Sequence, residues 1–399
     1  MEKIKVAPNV YWVGAVDWNL KTFHGNTYNL QHGTTYNSYL IIDEKITLID
    51  GVQTNFSAQW IERISEIIDP AKIDYVIVNH VEPDHSGSIP EIMKLAKNAK
   101  IFGTAKCKDG LLKYYYPNPV WDFQIVKSGD KLEIGSKTLQ FIDAAMIHWP
   151  DSMFTYIPQD RLLIPNDAFG QHLASSGRFD DEVDQCTLMD EAEKYYANIL
   201  VPFSMLIARK IDELIKLGLK INTIAPAHGI IWRKNPKAIV EKYVLWSKNF
   251  PYKKSAVIVY ETMWGSSEKM AKAILEGIIA AGGDAKLYDI AKVDRTEVIK
   301  EIFASKLFFF GSSTHDNNIL PAMAGFLDFI KGMKIKNRIG MAFGSFGWSG
   351  ESVKQVEEIM IEGGIEIAHP LLQIKYAPST DEIKKCFDAG FELAKKYLQ

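Results

Sequence analysis

An apolar run ends at Asn79, and His80, Glu82, Asp84 and His85 follow in the stretch "NHVEPDHSGS". Charged groups packed behind a buried-type strand need partners or a metal. The pattern H-x-E-x-D-H therefore points to metal binding. If the turn stays extended, alternation places His80, Glu82 and Asp84 on one side and His85 on the other. Three more ligand-type residues follow later apolar runs: His148 in "MIHWPDS", Asp167 in "IPNDAFG" and His228 in "APAHGII". One bridging carboxylate among these seven gives each of two metals two histidines, one terminal carboxylate and the shared one. Histidine-rich, water-bearing sites suit zinc hydrolysis. Added carboxylates harden the set and suit redox iron with open positions. A di-iron centre is favoured, with zinc and manganese as alternatives. His24 either lines a pocket beside neighbouring tyrosines or packs within its loop. His172 and Trp149 read as outer support or core, and His32 and His369 as surface or hydrogen-bonded residues.

A second constellation lies in "YETMWGSSEK". Thr262, Ser266 and Ser267 offer hydroxyls, Gly265 lets a backbone approach closely, and the following helix start favours a phosphate. The plainer reading is a helix cap made by Ser266 or Ser267. Two later loops strengthen the first. "GSSTHDNNILP" carries Ser312, Ser313, Thr314, Asn317 and Asn318, and "GSFGWSGES" carries Ser345, Phe346, Gly347 and Trp348. In an open α/β sheet such loops meet at one crevice. A planar ring can stack on Trp264 or Trp348 there. G-x-G-x-x-G is missing, which disfavours a dinucleotide.

Two patterns of elements must position these residues. The first part is strand-rich, from "NVYWVGA" to "TIAP", with helices around 58–67 and 90–96 and a long helical stretch over 188–217. "FQIVKSGDKLEIGSKTLQFIDA" reads as three strands turning at Gly129 and Gly135. Grouped strands with interspersed helices suggest two sheets with helices outside. After the polar segment "WSKNFPYKKSA" the chain alternates strand and helix through five βα units, which implies a parallel, doubly wound sheet.

The 399 residues suffice for two or three domains. With 47% hydrophobic and 24% charged residues and a net charge of -3, nothing recommends nucleic acid or an anionic membrane as a partner. The three cysteines are scattered, and the lack of any CxxC leaves no cysteine zinc site, iron–sulfur cluster or rubredoxin-type module. The first residues have no apolar signal core, and no apolar run is of spanning length. A soluble cytoplasmic protein is expected.

"NHVEPDHSGS", "IHWPDSM", "PNDAFGQH" and "PAHGIIW" resemble the metallo-β-lactamase-like module of the flavodiiron proteins, and the second half resembles flavodoxin. Hydrolases of that superfamily carry H-x-H-x-D-H; here Glu82 stands at their second histidine. The resemblance implies an N-terminal metallo-β-lactamase-like αββα sandwich over 1–250. It implies a C-terminal flavodoxin-like, five-stranded parallel α/β domain over 251–399, whose phosphate loop holds Met263 and Trp264. It assigns one iron to His80, Glu82 and His148, the other to Asp84, His85 and His228, and the bridge to Asp167. FMN is the implied cofactor. The implied activity is reduction of dioxygen to water, of nitric oxide to nitrous oxide, or both. Electrons come from a separate donor, rubredoxin or reduced deazaflavin F420, and the chains pair head to tail as a homodimer or homotetramer. A binuclear metallohydrolase with a flavodoxin-like accessory domain is the main rival, and a pure electron carrier the third reading.

Overall fold

Period-two alternation sets the layers of the first half. In the strand Tyr39–Ile41, Tyr39 and Ile41 join one buried cluster and Leu40 another. The computed structural model describes residues 3–115 and 120–399. The chain forms two compact units, Met1–Tyr195 with Phe203–Ser247, and Tyr196–Pro202 with Lys248–Gln399.

The first unit holds two facing sheets. One orders Ile4–Ala7, Val10–Trp12, Tyr39–Ile41, Thr47–Ile49, Tyr75–Ile77, Lys100–Gly103 and Asp122–Ile125. Its first four strands pair antiparallel, and from Thr47–Ile49 onward the pairing is parallel. The other orders Lys131–Glu133, Thr138–Asp143, Met153–Ile157, Leu162–Ile164 and Thr223–Ile224. Between them Val10, Tyr39, Ile41, Ile49 and Ile77 meet Phe141, Met153, Ile157, Leu162 and Ile164. Leu40, Leu48, Val76 and Ile101 pack outward on Trp60, Ile64, Ile89, Ile92 and Leu111, which belong to three helices. On the far side Leu163 and Ile224 lie beside Ile211, Leu214 and Val240 of two further helices. This is an αββα sandwich.

One local expectation changes. The stretch read as one helix over 188–217 is two, Gln185–Tyr195 and Ser204–Lys216. Between them run a π-helical turn and a tighter turn containing Pro202, whose missing N–H and ring end regular α geometry. The three strands read from "FQIVKSGDKLEIGSKTLQFIDA" exist, and Gly129 and Gly135 have positive φ as their turns require. Asp122–Ile125, however, pairs with Lys100–Gly103 in the first sheet, not with its sequence neighbours.

In the second unit the parallel sheet runs Asp284–Asp289, Ser255–Glu261, Leu307–Ser312, Arg338–Phe346. The fifth position is shared by Ile365–Ile367 and Leu372–Lys375, both parallel to Arg338–Phe346. Pro370, without an N–H, falls in the break. This is the doubly wound order expected of a flavodoxin-like domain. The helices Ser266–Ala280 and Thr380–Tyr397 cover one face. Among the described residues no helix is long and apolar enough to cross a membrane.

Candidate metal centre and cofactor pocket

Asn79 anchors the first ligand loop. Its backbone N–H donates to Asp50 Oδ1 at 2.7 Å and its side-chain amide to Asp50 Oδ2 at 3.1 Å, while Thr155 Oγ1 donates to its Oδ1 at 2.8 Å. Burial raises the Asp50 carboxyl to about 6, against the charge of His85 and the hydrogen bonds from Asn79. The loop then turns at once. Pro83, with its φ preset, opens a one-turn helix, Pro83–Ser86. That turn overrides the extended geometry expected of H-x-E-x-D-H. Asp84 leaves the side of His80 and Glu82 and joins His85.

Two groups of ligand-type side chains result. His80, Glu82, His148 and Asp167 converge in one and Asp84, His85 and His228 in the other, each with its ligand atoms within 4.8 Å of one another. Asp167 stands between them. Its Oδ2 lies 3.7 Å from His80 Nε2 and 3.5 Å from His148 Nε2; its Oδ1 lies 3.2 Å from His85 Nε2 and 3.4 Å from His228 Nε2. Asp84 Oδ2 is 3.3 Å from His85 Nε2 and 3.0 Å from His228 Nε2. Glu82 Oε2 is 3.3 Å from His80 Nε2 and 3.6 Å from His148 Nε2.

Hydrogen bonding orients two of these rings. His80 Nδ1 meets Asp151 Oδ2 at 3.1 Å, and His228 Nδ1 meets the Thr35 carbonyl at 2.7 Å. A ring that donates through Nδ1 presents an Nε2 lone pair, the arrangement of a metal-bound imidazole. Both Asp84 oxygens, both His85 nitrogens and Asp167 Oδ2 are buried without a hydrogen bond, although opposite atom types lie 3.0–3.7 Å away. These atoms aim at shared space rather than at each other, and so fit cations between them. The electrostatics agree. Burial alone would push Asp167 up, yet the charge of His85 and the nearby His148 and His80 rings hold it well below the usual range. Burial pulls His80 down, but Asp151 and Glu82 raise it well above its ordinary value.

The second unit holds a cavity of about 530 Å³ at the strand carboxyl ends. Met263, Trp264 and Ser266 line it from the first loop, Ser313 and Thr314 from the second, and Ser345, Phe346, Gly347 and Trp348 from the third. Gly265 precedes the helix Ser266–Ala280 with φ 83°, and a Cβ there would meet nothing within 4 Å, so backbone conformation is what calls for glycine. Trp264 and Trp348 are 90% and 75% exposed at the rim. An exposed indole pair, hydroxyls and a helix start suit a planar ring bearing a phosphate.

The chain matches the family model "ODP family beta lactamase" over residues 34–229 and the "Flavodoxin" model over 258–390. It is 46% identical over 394 residues to the nitric oxide reductase of Moorella thermoacetica, covering 98% of each chain. The chain belongs to the flavodiiron family. It is 40% identical to the anaerobic nitric oxide reductase flavorubredoxin of Vibrio vulnificus, covering 98% of this chain and 79% of that one. Among the solved structures that cover all of it are rubredoxin oxygen:oxidoreductase from Desulfovibrio gigas, 98% of that chain, at TM-score 0.96 and 35% identity, and the flavodiiron protein from Giardia intestinalis, 97% of that chain, at 0.92 and 34%.

Several residues singled out in the flavodiiron sequence sit elsewhere. Thr262 Oγ1 accepts from Gly265 N–H within its loop. Ser267 is buried, 3.1 Å from the hydroxyls of Ser313 and Ser345. Ser312 caps Leu320 N–H at 3.0 Å. Asn317 and Asn318 lie on a small exposed hairpin and do not line the cavity. His24 stands at the other site, its Nε2 3.2 Å from Glu82 Oε1. His172 is buried, its Nδ1 2.8 Å from Thr34 Oγ1 and its ring 4.8 Å from that of His228. Trp149 packs 5.3 Å from the His80 ring. His32 approaches Glu191 at 3.7 Å, and His369 bonds the Pro370 carbonyl. The sequence reading missed Asp151, three residues after His148, and Tyr376 and Ala377 in the cofactor cavity. The latter follow the last strand, so the strand-end rule that found the other loops also covers them.

Proposed function

We propose that this flavodiiron protein reduces dioxygen to water and/or nitric oxide to nitrous oxide, taking electrons from a separate donor through FMN to two irons. One observation carries the reading: the two oxygens of Asp167 face different ligand groups, as a bridging carboxylate must. His80, Glu82 and His148 would hold one iron, Asp84, His85 and His228 the other, and Asp167 both. Ferrous ions there would supply two electrons and positions open to a diatomic gas. The chain's part is geometric and electrostatic: Asp151 and Thr35 fix ring orientation, and His24 keeps the outer oxygen of Glu82 occupied.

In the second unit, Met263, Trp264, Ser266, Ser313, Thr314, Ser345, Phe346, Gly347 and Trp348 would seat FMN, its phosphate at the Ser266 helix start. Thr262, Gly265, Ser267, Ser312, Asn317 and Asn318 would support those loops. We further propose a head-to-tail homodimer, or a dimer of dimers, in which FMN of one chain serves the metal pair of another; the exposed Trp264 and Trp348 support it. Rubredoxin is the favoured donor, as named for the Desulfovibrio gigas relative, and reduced F420 the second.

The test is anaerobic purification, metal and flavin assay, and stopped-flow oxidation of the reduced protein by each gas. Two irons and one FMN per chain with fast oxidation are expected, and His148→Asn should lose gas reduction while keeping FMN. A zinc-loaded protein that cleaves esters or lactams and ignores both gases would establish the hydrolase instead.

A further inference from the structure

Two arginines meet one indole in the first unit. The guanidinium carbon of Arg63 lies 4.7 Å from the Trp12 ring centroid and that of Arg178 lies 5.1 Å from it. Trp12 is fixed, because its Nε1 donates to Asn37 Oδ1 at 2.8 Å and Asn37 in turn donates to the carbonyls of Pro226 and Gly229. The guanidinium groups are also fixed. Arg63 Nη1 donates to the Gly14 carbonyl and Arg178 Nη2 to that of Ser175.

Other donors on the same two groups have no partner. Arg178 is 6% exposed, and its Nη1 is buried without a hydrogen bond, as is Arg63 Nε. Among the described residues neither guanidinium lies within 4.0 Å of a carboxylate. Glu182, beside Arg178, is already engaged: its Oε2 accepts from the backbone N–H groups of Arg178 and Phe179, and its Oε1 from Arg233. Burial and the charge of Arg63 lower Arg178 to about 10, which leaves it protonated at neutral pH. A buried guanidinium with no carboxylate partner is costly unless an anion accompanies it.

The space for one exists. Lys3, Trp12, Arg63, Glu66, Ser176 and Arg178 are among the residues lining a cavity of about 200 Å³. Among the described residues, three cations there accompany one carboxylate. None of the seven metal-ligand candidates contributes to the lining.

We propose that this cavity binds a small tetrahedral oxyanion of the phosphate class, held by the guanidinium groups of Arg63 and Arg178 that line it, with Lys3 and the Ser176 hydroxyl beside it. Guanidinium suits such a ligand because its planar fork matches oxyanion geometry and stays charged.

The test is calorimetric titration of inorganic phosphate into metal- and FMN-replete protein in a chloride-only buffer. One saturable site per chain is expected. Loss of one charged donor pair should weaken it about ten- to a hundredfold in Arg178→Gln and in Arg63→Gln. Flavin spectrum and metal content should stay unchanged in both, and sulfate should compete. Should Arg178→Gln fail to fold, the half-buried Arg63→Gln carries the comparison. No saturable heat, or wild-type affinity in the variants, would overturn the site. Adenosine monophosphate binding more tightly than phosphate would overturn its assignment to a free anion.

Discussion

Asp151 does for His80 what no ligand can do for itself. Its Oδ2 takes the His80 Nδ1 bond and also accepts from Val81 N–H at 2.7 Å, so one carboxylate fixes both ring and backbone of the ligand loop. Removing such an outer partner typically costs about 10–100-fold in metal affinity. Asp151→Asn should weaken metal retention by that factor while FMN content stays at wild type, measured by competition with a chromophoric chelator. Retention equal to wild type would remove Asp151 from the site. The imidazoles themselves predict a pH dependence. In the metal-free protein, burial lowers His85, but the charges of Asp84 and Asp167 raise it to about 9, and His80 is raised well above its ordinary value. Both rings therefore hold protons at pH 7 that a metal must displace. Affinity should rise with pH up to about 9, and loading at pH 7 should release about two protons, read by calorimetry in buffers of different ionisation heat. The metal-free fold has the opposite sign. Raised histidines stabilise it fully below their ordinary value, and that contribution is lost as pH rises through about 9.

Elements whose cues are local were legible, and those that depend on distant pairing were not. The seven candidate ligands were readable as a group because four of them share one short loop and the rest follow apolar runs. The bend at Pro83 was not read, since alternation describes a strand and the chain had already left it. The partner of Asp122–Ile125 was not legible, because nothing in four residues names a neighbour across the sheet. Asp151 and Tyr376 escaped for a different reason: a lone Asp or Tyr looks ordinary until its neighbours are known. Close packing of helices is likewise invisible in sequence. Gly277 in Ser266–Ala280 faces Thr380–Tyr397, where a Cβ would collide with the Phe387 carbonyl oxygen, and Gly390 faces the Ile274 carbonyl in the same way. Alanine ordinarily stabilises a helix interior by about 1 kcal/mol over glycine. Here backbone must move, and overpacking costs about 1–3 kcal/mol. Gly277→Ala should thus lower the unfolding temperature of the flavodoxin-like unit and loosen FMN, with metal content unaltered. A raised unfolding temperature would mean the helices can separate freely.

At the scale of the whole molecule, two separate hydrophobic cores carry two separate sites. The first unit encloses three carboxylates and four imidazoles in one place, and the second buries its sheet beneath a cofactor cavity free of such charge. Metal removal should therefore act unequally. Within the first unit it leaves Asp84, His85 and Asp167 with buried atoms that no protein group satisfies. A metal present at a thousand times its dissociation constant adds about 4 kcal/mol to the folded state. Each kcal/mol moves the midpoint of a domain of this size by about 2–4 °C. Chelation should accordingly lower one calorimetric transition by roughly 10 °C and leave the transition that tracks flavin release in place. Restoring ferrous iron or zinc should return it, because stabilisation follows from charge and ligand number rather than from redox chemistry. If both transitions moved together, the two cores would be one cooperative unit; if neither moved, the seven side chains would not be holding a metal in the folded protein.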